Sequence, residues 1–115
     1  MEYMILARTQ GKRAVPENYV SIKKSEIIFT SGFERTFRKD IKRYVLFAAD
    51  EDNMLCFKFC EKDRYSYLVT RTNASVLVVR TPRPILALSP KFGQYEPVKR
   101  EDGWFATKCK LNVKR

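Results

Sequence analysis

Histidine is absent from the sequence, and that absence removes whole classes of mechanism. No Ser-His-Asp or Cys-His nucleophile can be assembled, no imidazole can act as general base, and no zinc can be held through histidine. Catalysis would have to run on carboxylates, lysine, tyrosine or cysteine, so the expectation is a protein that is not an enzyme. Cysteine is scarce too: Cys56, Cys60 and Cys109 are the only three, an odd number and too few for a disulfide framework. On a strand rising ~3.3 Å per residue, Cys56 and Cys60 would stand about 13 Å apart, too far to share a bridge or a zinc ion. Buried thiols in a reducing cytoplasm are expected, with no metal and no cofactor. Four glycines and five prolines argue against a low-complexity linker, and no phosphate-cradling glycine loop is present. No stretch approaches the roughly 18–20 apolar residues of a membrane span. The apolar patch within Met1–Arg8 is shorter than a signal-peptide core, so no membrane partner is expected.

What remains is apolar and basic. A chain of 115 residues with 44% hydrophobic and 13% aromatic content has the material for one core, and residues 1–115 read as a single domain. Twenty-three Lys and Arg oppose thirteen Asp and Glu, giving a net charge of +10 and a pI near 9.7. Such a field concentrates polyanions, which makes nucleic acid, DNA or RNA, the first candidate partner. An acidic protein is drawn by the same field.

The chain reads as α+β, a mostly antiparallel curved sheet of about six to eight short strands with two helices. Residues 1–18 are ambiguous: Tyr3 to Leu6 fit a short strand, while Thr9 to Arg13, with Lys12 and Arg13, read as a mobile basic loop or arm. Val20 and Ile22 alternate on a first strand, and Glu26-Ile27-Ile28-Phe29 is a second. Ser31 with Glu34 fits a capping box, opening an amphipathic helix near 31–42 with Phe33, Phe37 and Ile41 in one stripe. Residues 43–49 and 54–60 form a hairpin around Asp50-Glu51-Asp52-Asn53, with Leu55, Phe57 and Phe59 on one face. Tyr65–Arg71 and Ala74–Arg80 continue an antiparallel meander. Thr81-Pro82 starts a short helix near 82–92, and a last hairpin turns at Arg100-Glu101-Asp102-Gly103 before a frayed tail at 112–115. A faint echo of order, strand, helix, strand, acidic turn, strand, runs through residues 26–60 and 75–111, but identity is negligible and chance resemblance is the stronger explanation. The expected core takes in Val20, Ile22, Ile28, Phe33, Phe37, Val45, Phe47, Leu55, Phe57, Phe59, Leu68, Leu77, Val79, Leu86, and Trp104 or Phe105. Open edge strands would allow a homodimer.

Three groups of residues carry the binding expectation. Arg35, Arg38, Lys39 and Lys42 fall at i, i+3, i+4 and i+7, on the wet side of the first helix, where they would lie along phosphates. Tyr65, Tyr67 and Arg71 alternate onto one strand face, and Lys108 and Lys110 share another with Trp104. Aromatics beside cations on a sheet can stack unpaired bases. Lys12 and Arg13 would serve as a flexible arm. The acidic residues Asp50-Glu51-Asp52, and Asp40 with Lys42, are explained as a hydrophilic turn and a helix end without invoking Mg²⁺. The expected function is a non-enzymatic nucleic-acid-binding module. The alternative is a protein-interaction or adaptor domain docking an acidic partner, marked by an exposed apolar patch around Tyr65, Tyr67 or Trp104.

Overall fold

The computed structural model describes residues 2, 19–72, 76–80 and 82–114. Lys12, Arg13, Thr81 and Arg115 lie outside the described residues. Along the chain run β1 (Val20–Ile22), β2 (Glu26–Phe29), α1 (Ser31–Thr36), β3 (Tyr44–Ala49), β4 (Met54–Cys60), β5 (Tyr67–Leu68) and β6 (Thr70–Arg71). They are followed by β7 (Leu77–Arg80), α2 (Arg83–Leu86), β8 (Gly93–Tyr95), β9 (Val98–Lys99) and β10 (Phe105–Lys110). The architecture is α+β and mostly antiparallel, but there are two five-stranded sheets rather than one. One sheet has the order β6-β7-β2-β1-β8, the other β5-β3-β4-β10-β9.

The edges of the two sheets are joined through the chain itself. Only Val69 separates β5 from β6, and Glu96-Pro97 separates β8 from β9, so a strand leaving the edge of one sheet becomes the edge of the other. At the first corner the Val69 amide donates to the Arg43 carbonyl at 2.9 Å. Bends of this kind let strands switch sheets and close a barrel-like sandwich. The meander expected over residues 65–80 is therefore corrected: β5 pairs with β3 while β6 pairs with β7. The echoing stretches are neighbours in space, β2 pairing with β7 and β4 with β10.

Both long hairpins form as their turn residues require. Asp50 Oδ1 accepts from the amides of Asp52 and Met54, each at 2.9 Å, and Asn53 takes a φ of 63°, a left-handed position that asparagine tolerates. Asp102 Oδ1 accepts from the Trp104 amide at 3.0 Å, and Gly103 turns at φ 91°.

Phenylalanine dominates the core. Phe29, Phe33, Phe57, Phe59 and Phe105 are all buried and touch ring to ring, with Phe37 and Phe47 at the margin. Some core assignments are corrected. Ile28 is half-buried, whereas Ile27 and Phe29 are buried, because the register sets Ile22 against Ile27 and Val20 against Phe29. Leu68 is 45% exposed, since it sits in a two-residue edge strand. Leu86 is half-buried, and the neighbouring Ile85 faces the core instead. Phe105 is buried and Trp104 half-buried.

Both helices are shorter than their patterns suggest. Thr30 caps α1, its hydroxyl accepting from the Phe33 amide at 3.3 Å, so the capping box at Ser31 and Glu34 does not form. Phe37 leaves helical geometry at φ −117°, ψ 29°, and the chain turns over residues 37–40. Phe37 and Ile41 still pack against the core, through a turn rather than a second helical repeat. α2 stops at Leu86, and Ser89 turns the chain at φ 54°. Among the described residues no helix is long and apolar enough to cross a membrane.

Candidate nucleic-acid interface

The early end of α1 breaks up the expected basic helix face. Arg35 lies in the last helical turn, Arg38 and Lys39 in the turn that follows, and Lys42 in the segment leading to β3. All four are solvent-facing, but they do not share one helical stripe. Two of them meet other cations instead. Lys39 and Lys42 line a cleft of about 300 Å³ with Lys58 from β4 and Lys99 from β9, over the rings of Phe59 and Phe105. One carboxylate enters this cleft, Asp40, which Lys99 Nζ meets at 2.6 Å. Four ammonium groups against one carboxylate leave the cleft strongly positive. Lys58 was legible as the one cation inside an otherwise apolar strand, and Lys99 as a cation beside an acidic turn. Neither signal says that the two converge.

A second basic surface forms where β1, β8 and β10 come together. The β1–β8 register pairs Ile22 with Gly93, which brings the Lys23-Lys24 turn beside Phe92. On the other side of Phe92, Lys91, Lys108 and Lys110 line a groove of about 460 Å³ with Tyr95. Lys23 and Lys24 line one of about 430 Å³, and Phe92, Gly93 and Gln94 are common to both. Among the described residues no carboxylate lines either groove, and none of these five lysines is in an ion pair. The ring between them is 54% exposed.

This surface is held from behind. The Tyr95 hydroxyl donates to the Lys91 carbonyl, and the Asn112 amide donates to the Leu88 carbonyl at 2.7 Å. Burial, with a contact to Cys109, pushes the Tyr95 phenol up to about 12. On β10 the pairing with β4 shifts between Ala106 and Lys110. There the buried Thr107 hydroxyl bridges the irregularity, donating to the Leu55 carbonyl at 2.8 Å and accepting from the Cys109 amide at 3.1 Å. Lys108 and Lys110 alternate outward on either side of buried Cys109.

Tyr65, Tyr67 and Arg71 do not form a face. Tyr65 lies in a turn with the Arg64 guanidinium 5.2 Å from its ring centre. Tyr67 packs edge-on against Phe47 at 5.5 Å. Arg71, past the corner at Val69, makes a two-pronged bond to Glu34 at 3.1 and 2.6 Å. Tyr65 and Tyr67 instead border an apolar groove of about 350 Å³ with Phe47, Pro84, Ile85 and Leu88. Trp104 is apart from Lys108 and Lys110, beside Asp50, Cys56, Arg100 and Asp102. Asp50 is committed structurally: bonds from Arg100 and from the Met54 amide hold its carboxyl below the usual range.

The chain matches no family model, no curated protein and no solved structure.

Proposed function

We propose that the protein is a non-enzymatic nucleic-acid-binding module that acts mainly through phosphate contacts. The observation that carries this reading is the set of five lysines, 23, 24, 91, 108 and 110, around two grooves that no carboxylate among the described residues lines. Glu34, Asp40 and Asp50 are paired elsewhere, with Arg71, Lys99 and Arg100, so none of these three carboxylates offsets the five lysines. Lysine ammoniums along a groove neutralise phosphates and release counterions. The cleft of Lys39, Lys42 and Lys58 extends the same chemistry to a second patch. The three cysteines are free thiols, compatible with the reducing cytoplasm proposed for the chain.

The test is binding to labelled oligonucleotides across a salt series. Lys108→Glu with Lys110→Glu should weaken binding across all sequences and flatten the salt slope by about one for each phosphate left unneutralised. Arg35→Glu with Arg38→Glu should have a smaller effect. Affinity unchanged by the lysine pair would sink the reading.

One observation favours a second reading, an adaptor for an acidic protein. The apolar groove beside exposed Tyr65 has the exposed cations Arg64 and Arg83 adjacent in sequence to its lining residues Tyr65 and Pro84, an apolar floor with basic residues near it. A partner that stays bound after nuclease treatment and is lost on Tyr65→Ala with Leu88→Ser would replace the nucleic-acid reading.

A further inference from the structure

From the position of Phe92 we infer that the ligand is single-stranded, with an unpaired base stacked on the Phe92 ring and the flanking phosphates held by the lysines of the two adjoining grooves. The inference rests on the nucleic-acid reading and deepens it. Among the described residues Phe92 is one of four large hydrophobic side chains that stand exposed. Of these, it alone lines the two basic grooves, with Lys23 and Lys24 to one side and Lys91, Lys108 and Lys110 to the other. An aromatic face between two lysine-lined channels matches a strand whose bases turn inward while its backbone runs over cations. Every base presents such a face, so the arrangement is tolerant of sequence.

A duplex offers this surface much less. Its base faces are hidden in the stack, and reading its edges requires an element that enters the major groove, usually a helix or a two-stranded ribbon. The described helices have six and four residues, and neither carries the Phe92 surface. β8, which follows Phe92, pairs with β1 and runs on through the Glu96-Pro97 corner into the other sheet, so it is not a protruding ribbon. On a duplex the lysines could still meet phosphates, but Phe92 would have no base to cover.

The experiment compares four labelled probes by fluorescence anisotropy at fixed salt: a single-stranded oligonucleotide, its duplex, its RNA counterpart, and a single strand in which the bases are replaced by abasic sites. The wild-type chain should bind the two base-bearing single strands more tightly than the duplex or the abasic strand. Phe92→Ala should reduce single-strand affinity about 10-fold, the scale of one base–aromatic stack. It should leave duplex and abasic binding, and the salt slope, unchanged. Phe92→Trp should restore single-strand affinity. Because Phe92 is exposed, the thermal midpoint should barely move. Equal binding of single strand and duplex, or single-strand affinity indifferent to Phe92→Ala, overturns the stacking inference while leaving phosphate binding intact. Failure to bind any probe overturns both readings.

Discussion

Phe57 and Phe105 lie face to face, their ring centres 5.0 Å apart and their planes 9° from parallel, because the register of β4 and β10 sets them directly opposite. Phe33 from α1 closes on both, at 5.8 and 5.4 Å. Helix and sheet thus share one aromatic contact. Phe57→Ala should destabilise the domain by roughly 3–5 kcal/mol, the range for a buried phenylalanine, a large part of the ~5–15 kcal/mol that holds such a domain together. Urea unfolding would read it. The double change with Phe105→Ala should fall short of the sum of the singles, since the two rings are in contact; strict additivity would contradict the stacked pair.

The identity of the helix cap is open to a direct comparison. Thr30 Oγ1 accepts from the amides of Phe33 and Tyr19, whereas Ser31 is exposed in the first helical position. Thr30→Ala should cost about 1 kcal/mol and Ser31→Ala close to nothing. The reverse ranking in thermal or urea melts would reinstate a cap at Ser31.

Acid should weaken the fold through two carboxyls. A two-pronged bond from Arg71 holds Glu34 below its ordinary 4.5, and bonds from Arg100 and the Met54 amide hold Asp50 below 3.8. A group whose folded pKa is lowered contributes fully above its unfolded pKa, and the contribution disappears as pH falls through the folded value. The thermal midpoint should therefore drop below about pH 4.5, and Asp50→Asn should make that drop shallower while lowering stability at pH 7. Both groups meet solvent, so each effect is modest. An Asp50→Asn profile parallel to wild type would count against the bond to Arg100.

Tyr95 should titrate late. With its phenol raised to about 12 by burial and by Cys109, the folded state keeps a proton that the unfolded chain releases near 10. The associated stability is present below pH 10 and lost as pH rises towards 12. Absorbance at 295 nm should show a late step missing from Tyr95→Phe. If that variant retains the step, another tyrosine is the protected one.

The β3–β4 hairpin was legible because its strands alternate cleanly and its turn carries Asp and Asn where a turn needs them. Other features hid in ambiguous patterns. The spacing of Phe33, Phe37 and Ile41 fits a long helix, yet a turn at residues 37–40 delivers the same side chains to the core. Ile27 and Ile28 are adjacent and alike, so only pairing with β1 decides which points inward. Tyr65–Arg71 looks like one strand, and nothing local marks Val69 as the place where it changes sheets. Of the candidate site, Lys39, Lys42, Lys108 and Lys110 stand out in the sequence, but their companions do not. Phe92 lies between Pro90 and Gly93 with no periodicity to single it out, and the Lys23-Lys24 turn reaches it only through the β1–β8 pairing.

The two corners at Val69 and at Glu96-Pro97 leave the described sheets without a loose end. In an open sheet the outermost strand frays first, and loss spreads inward like a zipper. Here each outer strand is anchored by its own continuation in the opposite layer, so peeling one away strains both layers at once. Amide exchange across the central strands β2, β7, β4 and β10 should consequently rise together, as one cooperative unit, rather than in graded shells.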